Sequence, residues 1–182
     1  ASTTANWNGG AGFVPIGNCA GGFNGRFDGL GHVVVDPAIN LGSSQCVGLF
    51  GGLGIGSVLR NVGVDGGSVR GLFAVGGLVG YNDAGTISNA HASASVTAAM
   101  VHGGGLVGFT TGDVSDAYAT GSVTVTGSGP GGQTGAGGLT GGNRGAIRRT
   151  WASGTVTSSG SNVGGLVGLA MDGTVDDSYW DR

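Results

Sequence analysis

Lysine and glutamate are both missing from the 182 residues, so all ten acidic side chains are aspartate and all seven cations are arginine. Lys and Glu favour helices, whereas the 45 glycines and the aspartates favour turns, and the composition therefore argues against a helical architecture. Only 9% of residues are charged, at net charge −3, which leaves no basic footprint for nucleic acid. No apolar run approaches the about 18 residues of a membrane span, so no membrane insertion is expected. A Walker loop cannot be built without lysine, Gly-x-Ser-x-Gly is absent, and His32, His91 and His102 lack metal-ligand spacing. No catalytic residue, metal or other cofactor is therefore expected. There is no initiator Met and no signal peptide. The small, polar start Ala1-Ser2-Thr3-Thr4-Ala5 suits a mature end left by signal cleavage, and a trimmed fragment would look the same. A mean hydropathy of +0.22 is too apolar for disorder.

What the chain has is a repeat. Val75-Gly76-Gly77-Leu78-Val79-Gly80 returns as Gly104-Gly105-Leu106-Val107-Gly108, Gly137-Gly138-Leu139-Thr140-Gly141 and Gly164-Gly165-Leu166-Val167-Gly168, with a looser copy at Val47-Gly48-Leu49-Phe50-Gly51. The Gly before each Leu falls at 48, 77, 105, 138 and 165, giving intervals of 29, 28, 33 and 27. Seven or eight residues later comes Gly-x-Val/Ile, ending at Val58, Ile87, Val114, Ile147 and Val175. Two linked signals at one offset, with no helical signature, predict an all-β fold: a right-handed parallel β-solenoid (β-helix) of about 28 residues and three short strands per rung. Residues 1–46 read as an N-terminal lead-in segment and a degenerate first rung, and residues 47–182 as the regular repeats of one continuous domain. The interval from 105 to 138 is longer by about five residues, and predicts a surface loop around 126–133.

The run Phe23-Asn24-Gly25-Arg26-Phe27-Asp28-Gly29-Leu30-Gly31-His32, followed by Gly-Leu-Phe-Gly and the serial Gly-Gly-Leu-Val-Gly copies, resembles the GLUG-repeat regions of bacterial surface adhesins, including filamentous-haemagglutinin-like secreted proteins. The likeness covers roughly residues 6–181, and the final Ser178-Tyr179-Trp180-Asp181 resembles the close of such an array. The resemblance is specific for the repeat. It implies a non-enzymatic extracellular structural protein, serving cell-surface or biofilm attachment.

In a solenoid, equivalent positions stack, so the sequence can be read in columns. Leu49, Leu78, Leu106, Leu139 and Leu166 form one inward column, the Val/Ile positions a second, and Val96, Val123 and Val156 a third. Arg60, Asn89, Asp116, Arg149 and Asp177 read as an outward ladder, with Arg149 between two aspartates and Arg148 beside Asp176. Val62, His91, Tyr118, Trp151 and Tyr179 form an aromatic column. Facing outward it could stack on cell-surface or matrix polysaccharide; facing inward it would fill space left by Ala and Gly. Both placements stay open. Polysaccharide-cleaving β-helices set acids on a sheet face, so a polysaccharide-binding or polysaccharide-cleaving β-helix is the alternative function. Ser95/Thr97, Ser122/Thr124 and Thr155/Thr157 form parallel hydroxyl rows, which leaves an ice-binding protein as a lower alternative.

Cys19 and Cys46 are 27 residues apart, one rung within the scatter of the period. That spacing predicts a disulfide between neighbouring rungs, against the alternative of two buried thiols, and with it an oxidising compartment. The terminal rungs of a solenoid expose strand edges. Further repeats of a longer chain would cover them. Otherwise copies of the protein would stack head to tail, burying Trp7, Phe13 and Trp180 between subunits.

Overall fold

The computed structural model describes residues 2–129 and 132–181. Pro130 and Gly131, in the expected surface loop, lie outside them, as does Arg182. Strands β1 (Arg26–Val35), β2 (Ala38–Asn40), β3 (Gln45–Val47) and β4 (Phe50–Leu53) make the first turn. The second holds β5 (Val58–Asp65), β6 (Ser68–Gly71), β7 (Phe73–Gly76) and β8 (Val79–Asn82). The third holds β9 (Thr86–Ala92), β10 (Ser95–Ala98), β11 (His102–Gly104) and β12 (Val107–Thr110). The fourth holds β13 (Asp113–Ala119), β14 (Val123–Val125), β15 (Gly135–Gly137) and β16 (Thr140–Asn143). The fifth holds β17 (Ala146–Ala152), β18 (Val156–Ser158), β19 (Asn162–Gly164) and β20 (Val167–Ala170), and β21 (Thr174–Asp176) with β22 (Tyr179–Trp180) begins a sixth. Each strand pairs in parallel with its counterpart one turn on, so the described residues form four parallel sheets, here called faces one to four in chain order.

The parallel β-solenoid of about 28 residues per turn is present, but a turn has four strands where three were expected. The reason lies in the motif. Gly-Gly-Leu-Val-Gly is not one strand but the joint between two: Gly76 ends β7, Gly77 and Leu78 turn the corner, and Val79 starts β8. A second correction concerns register. Leu59, not Val58, stands in the column of Ile87, Val114, Ile147 and Val175, and Gly63, not Val62, stands below His91. Ser57 occupies the place that Gly85 takes in the next turn, with the Thr86 N–H donating to the Ser57 carbonyl at 2.9 Å, so the glycine-based count is one residue off there.

Leu78, Leu106 and Leu139 are fully buried, as are Leu59, Ile87 and Ile147 of face one, and Ile39, Val69, Val96 and Val123 of face two. Their backbones continue the ladder through the corners: the N–H groups of Leu78, Leu106 and Leu139 donate to the carbonyls of Leu106, Leu139 and Leu166 at 2.9–3.0 Å. Face four adds a polar column to the core. Asn82, Thr110 and Asn143 are buried, yet all are bonded. Asn82 Nδ2 donates to Thr110 Oγ1 at 3.0 Å and to the Gly85 carbonyl at 3.1 Å, and its Oδ1 accepts from the Gly85 N–H at 3.1 Å. These side chains serve the backbone of the turn leading back to face one, where an unpaired group would be costly.

Faces three and four approach backbone to backbone. A Cβ placed on Gly80 would lie 2.5 Å from the Val47 nitrogen and 2.6 Å from the Gly51 carbonyl oxygen. On Gly76 it would lie 2.7 Å from both the Gly108 nitrogen and the Leu106 oxygen, and on Gly77 it would strike the Gly105 carbonyl. Gly104, Gly105, Gly108, Gly137, Gly138 and Gly141 meet the same obstruction one and two turns on.

The N-terminal segment lies across the first turn. After a 3-10 stretch (Ser2–Gly10), the Phe13 N–H donates to the Ala38 carbonyl at 2.8 Å, Ile16 to Leu49 at 3.0 Å and Phe23 to Gly52 at 2.8 Å. Phe13, Phe23 and Phe27 pack on the core, the last two edge-on to Phe50 with ring centres 5.6 and 5.3 Å away. Cys19 is bonded to Cys46 with Cα atoms 5.5 Å apart, tying this segment to β3.

Two outcomes follow. Gly105→Ala forces a methyl into the Gly138 carbonyl and to 2.9 Å from Ala119 Cβ. It should cost about 2–3 kcal/mol in urea unfolding, whereas Ser88→Ala, on the outer side of face one, stays within about 0.5 kcal/mol. Reducing the disulfide, which closes a 27-residue separation, should cost about 3–4 kcal/mol in the chain-entropy account. Amide exchange should then quicken first in residues 11–24 and leave β9 to β17 protected.

Candidate functional site

The long strands of face one bend at one column. Asn61, Asn89, Asp116, Arg149 and Asp177 all have left-handed φ, between 47° and 53°. Asn and Asp tolerate that conformation best, which explains a run of short polar residues that also reads as a charge ladder. Asn61, not Arg60, belongs to the bend; Arg60 pairs in register with Ser88. Two of the three expected charge pairs form among the described residues; Arg149 pairs with Asp116 and not with Asp177. Arg149 donates to both Asp116 oxygens, from Nε at 2.7 Å and Nη2 at 2.6 Å, and this holds the Asp116 carboxyl below its ordinary pKa. Arg148 lies 3.8 Å from Asp176.

Beyond the bend the chain alternates. Ala90, Ala92, Ala117, Ala119, Thr150 and Ala152 face the core, and His91, Tyr118 and Trp151 stand half-buried on the outside. Their rings stack along the solenoid axis. Centres are 4.9 Å apart for His91 and Tyr118, 4.6 Å for Tyr118 and Trp151, and 6.4 Å for Trp151 and Tyr179, with planes within 9° of parallel. The spacing matches the roughly 4.8 Å between parallel strands. The ring faces therefore cover one another, and Tyr179, 60% exposed, is the member with most surface free. At the other end His91 lies over Gly63, where a Cβ would enter its ring, and its Nε2 is 3.2 Å from Asp65 Oδ1. Trp180 turns inward over Gly165, beside an open recess of about 460 Å³ that Val156 and Val163 also line. Trp7 is exposed at the opposite end, and Phe13 is packed into its own first turn.

A second aromatic group, on faces three and four, is not singled out by the sequence. Tyr81 and Phe109 are paired in register on β8 and β12, with ring centres 5.7 Å apart. His102 of β11 meets Phe109 at 5.0 Å and Phe73 at 5.7 Å. These rings line an open cavity of about 320 Å³ with Gln45 and Arg144 at its margin. A signal was present: Tyr81 and Phe109 both directly follow the last Gly of the repeat. Gly52, Gly142 and Leu169 take that place in the other turns, so the column reads as irregular. Among the described residues, no three His, Cys or Asp side chains converge as a metal cluster would.

His102 is buried, and its Nδ1 has no hydrogen-bond partner among the described residues. Burial pushes its pKa from 6.5 down to about 4. Between these values the unfolded chain binds a proton that the folded chain does not. Stability is therefore full above about pH 6.5 and falls as the pH drops toward 4, by on the order of 3 kcal/mol in all. His102→Phe should flatten that slope in urea midpoints measured from pH 7 to 4; an unchanged slope would assign it to other groups.

Comparison with known proteins follows the turns just described. Residues 71–97 and 101–126 match the model of the GLUG motif, each match running from face two or three around to face two of the next turn. A 113-residue stretch is 37% identical to Halomucin of Haloquadratum walsbyi, covering 60% of this chain and 1% of that protein's length. No solved structure matches. The chain is a parallel β-solenoid, two stretches of which match the GLUG motif and part of which is similar to a small part of Halomucin.

Proposed function

We propose that this chain is a non-enzymatic structural module, the β-solenoid scaffold of an extracellular adhesin or biofilm-matrix fibre. The supporting observation is the continuity of its backbone ladders: the same four-strand turn repeats in register, which makes a stiff spacer whose length grows with repeat number. The disulfide agrees with an oxidising compartment. The matching stretch of Halomucin fills 1% of that protein, as one module of a much longer chain would.

Self-association, on this proposal, runs through face one. The outer edges of β1 and of β21 and β22 carry no partner strand among the described residues, and Leu30 and Val35 are exposed on β1. On β2 and β4 the N-terminal segment already occupies part of the outer edge, through bridges from Gly12 to Ile39 and from Ile16 to Phe50. Edge pairing of β22 with β1 of a second copy would place Trp180 and Tyr179 near the contact. The hydroxyl rows align on face two as Thr97, Thr124 and Thr157, but Arg70 and Asn40 take the next two places, which shortens any ice-matching surface.

Sedimentation velocity over a hundredfold concentration range, with electron microscopy of the same samples, tests the assembly. Growth into filaments is expected, and a concentration-independent monomer contradicts it. Incubation with plant and bacterial polysaccharides should yield no new reducing ends or unsaturated products; their appearance would overturn the non-enzymatic reading.

A further inference from the structure

The cleft between faces three and four combines features that a packing role leaves unexplained. Phe73, Tyr81 and Phe109 bring aromatic rings to an open cavity of about 320 Å³, on a protein whose other apolar side chains are mostly inside. At its floor His102 is 97% buried, and its Nδ1 has no hydrogen-bond partner among the described residues. A Cβ on Gly142 would lie 2.7 Å from the Phe109 ring and 3.2 Å from that nitrogen, so the glycine is what lets Phe109 and His102 meet there. Gln45 and Arg144 add polar groups to the lining, beside Met171 and the Cys19–Cys46 disulfide. Tyr81 also lines a neighbouring cavity of about 230 Å³, shared with Asn18, Asn24 and Asp83.

We infer that this cleft is a binding site for a pyranose sugar, held as part of a chain that continues past Tyr81 into the neighbouring cavity. The ligand must offer an apolar face to the rings and a small polar group to His102. An aliphatic side chain meets the first demand and leaves the imidazole nitrogen unsatisfied. A hydroxyl can donate to a bare Nδ1 or accept from a protonated one, so it suits either tautomer. A pyranose carries a C–H face and a rim of hydroxyls together, and the electron-rich faces of aromatic rings favour such C–H groups. Few convergent polar groups in an aromatic cleft are the usual make-up of a small-ligand site. The outer ladder of His91, Tyr118 and Trp151 is less suited, because its ring faces cover one another. The inference is independent of the scaffold proposal: a rod that binds no sugar would leave that proposal standing.

The test titrates the intact chain with cellotetraose and with tetragalacturonate, following the His102 imidazole by long-range proton–nitrogen NMR. The expected result is a saturable shift of the His102 resonances with at least one of the two. Phe109→Ala should weaken binding at least tenfold at an unchanged melting temperature; should that variant unfold, Arg144→Ala, on the exposed margin, should weaken it at least threefold. No shift at 10 mM of either sugar overturns the inference. So does loss of binding in Tyr118→Ala with Phe109→Ala unaffected, since that would put the sugar on the outer ladder.

Discussion

Faces three and four touch through their backbones, and the rest of the solenoid depends on how close that approach is. Where a side chain would normally separate two sheets by about 10 Å, glycine columns let carbonyl and amide groups meet directly. At Gly80, Gly108 and Gly141 a single methyl would fall within 2.7 Å of backbone atoms of the opposing face. The corner Leu is carried inward by the same joint, so the motif sets both the approach and the position of a core column that is fully buried at Leu78, Leu106 and Leu139. Glycine costs conformational entropy on folding, and the stack offsets it with unbroken parallel ladders through the corners.

Given that joint, the other faces divide the remaining tasks. Face two closes the core with β-branched residues, and face four lines its return turn with buried Asn and Thr that satisfy the backbone. Face one is long, and bends at a left-handed column where Asn and Asp are the natural occupants. Arg149 is the costly member of that column, and its two-pronged pairing with Asp116 accompanies the exception. Outside the bend, one aromatic per turn stacks on the last because the strand spacing equals a ring-stacking distance.

Much of this was legible in the sequence wherever a feature recurs at the same place in each turn. The period, the Leu column and the stacked aromatics as a column have that property, and the Arg149–Asp116 pair and the Cys19–Cys46 bond were legible because each joins positions about one period apart. What stayed hidden depends on contacts between different faces or on a single irregular turn. The fourth strand was invisible because a glycine-rich corner and a glycine-rich strand share one composition. The first register is shifted because Ser57 stands where later turns have glycine. The cleft around His102 draws its residues from two faces and from positions that are aromatic in two turns only.

The central claim, that the glycine joint between faces three and four is what holds the stack, is tested most directly by residue-resolved amide hydrogen exchange under native conditions. Leu78, Val79, Leu106, Val107 and Leu139 donate across the turns at this joint. The account predicts that their amides are the slowest in the chain and exchange only through global unfolding, together with those of β9 and β13. Exchange at these corner amides as fast as in the loop around Thr126 to Gly129 would contradict it.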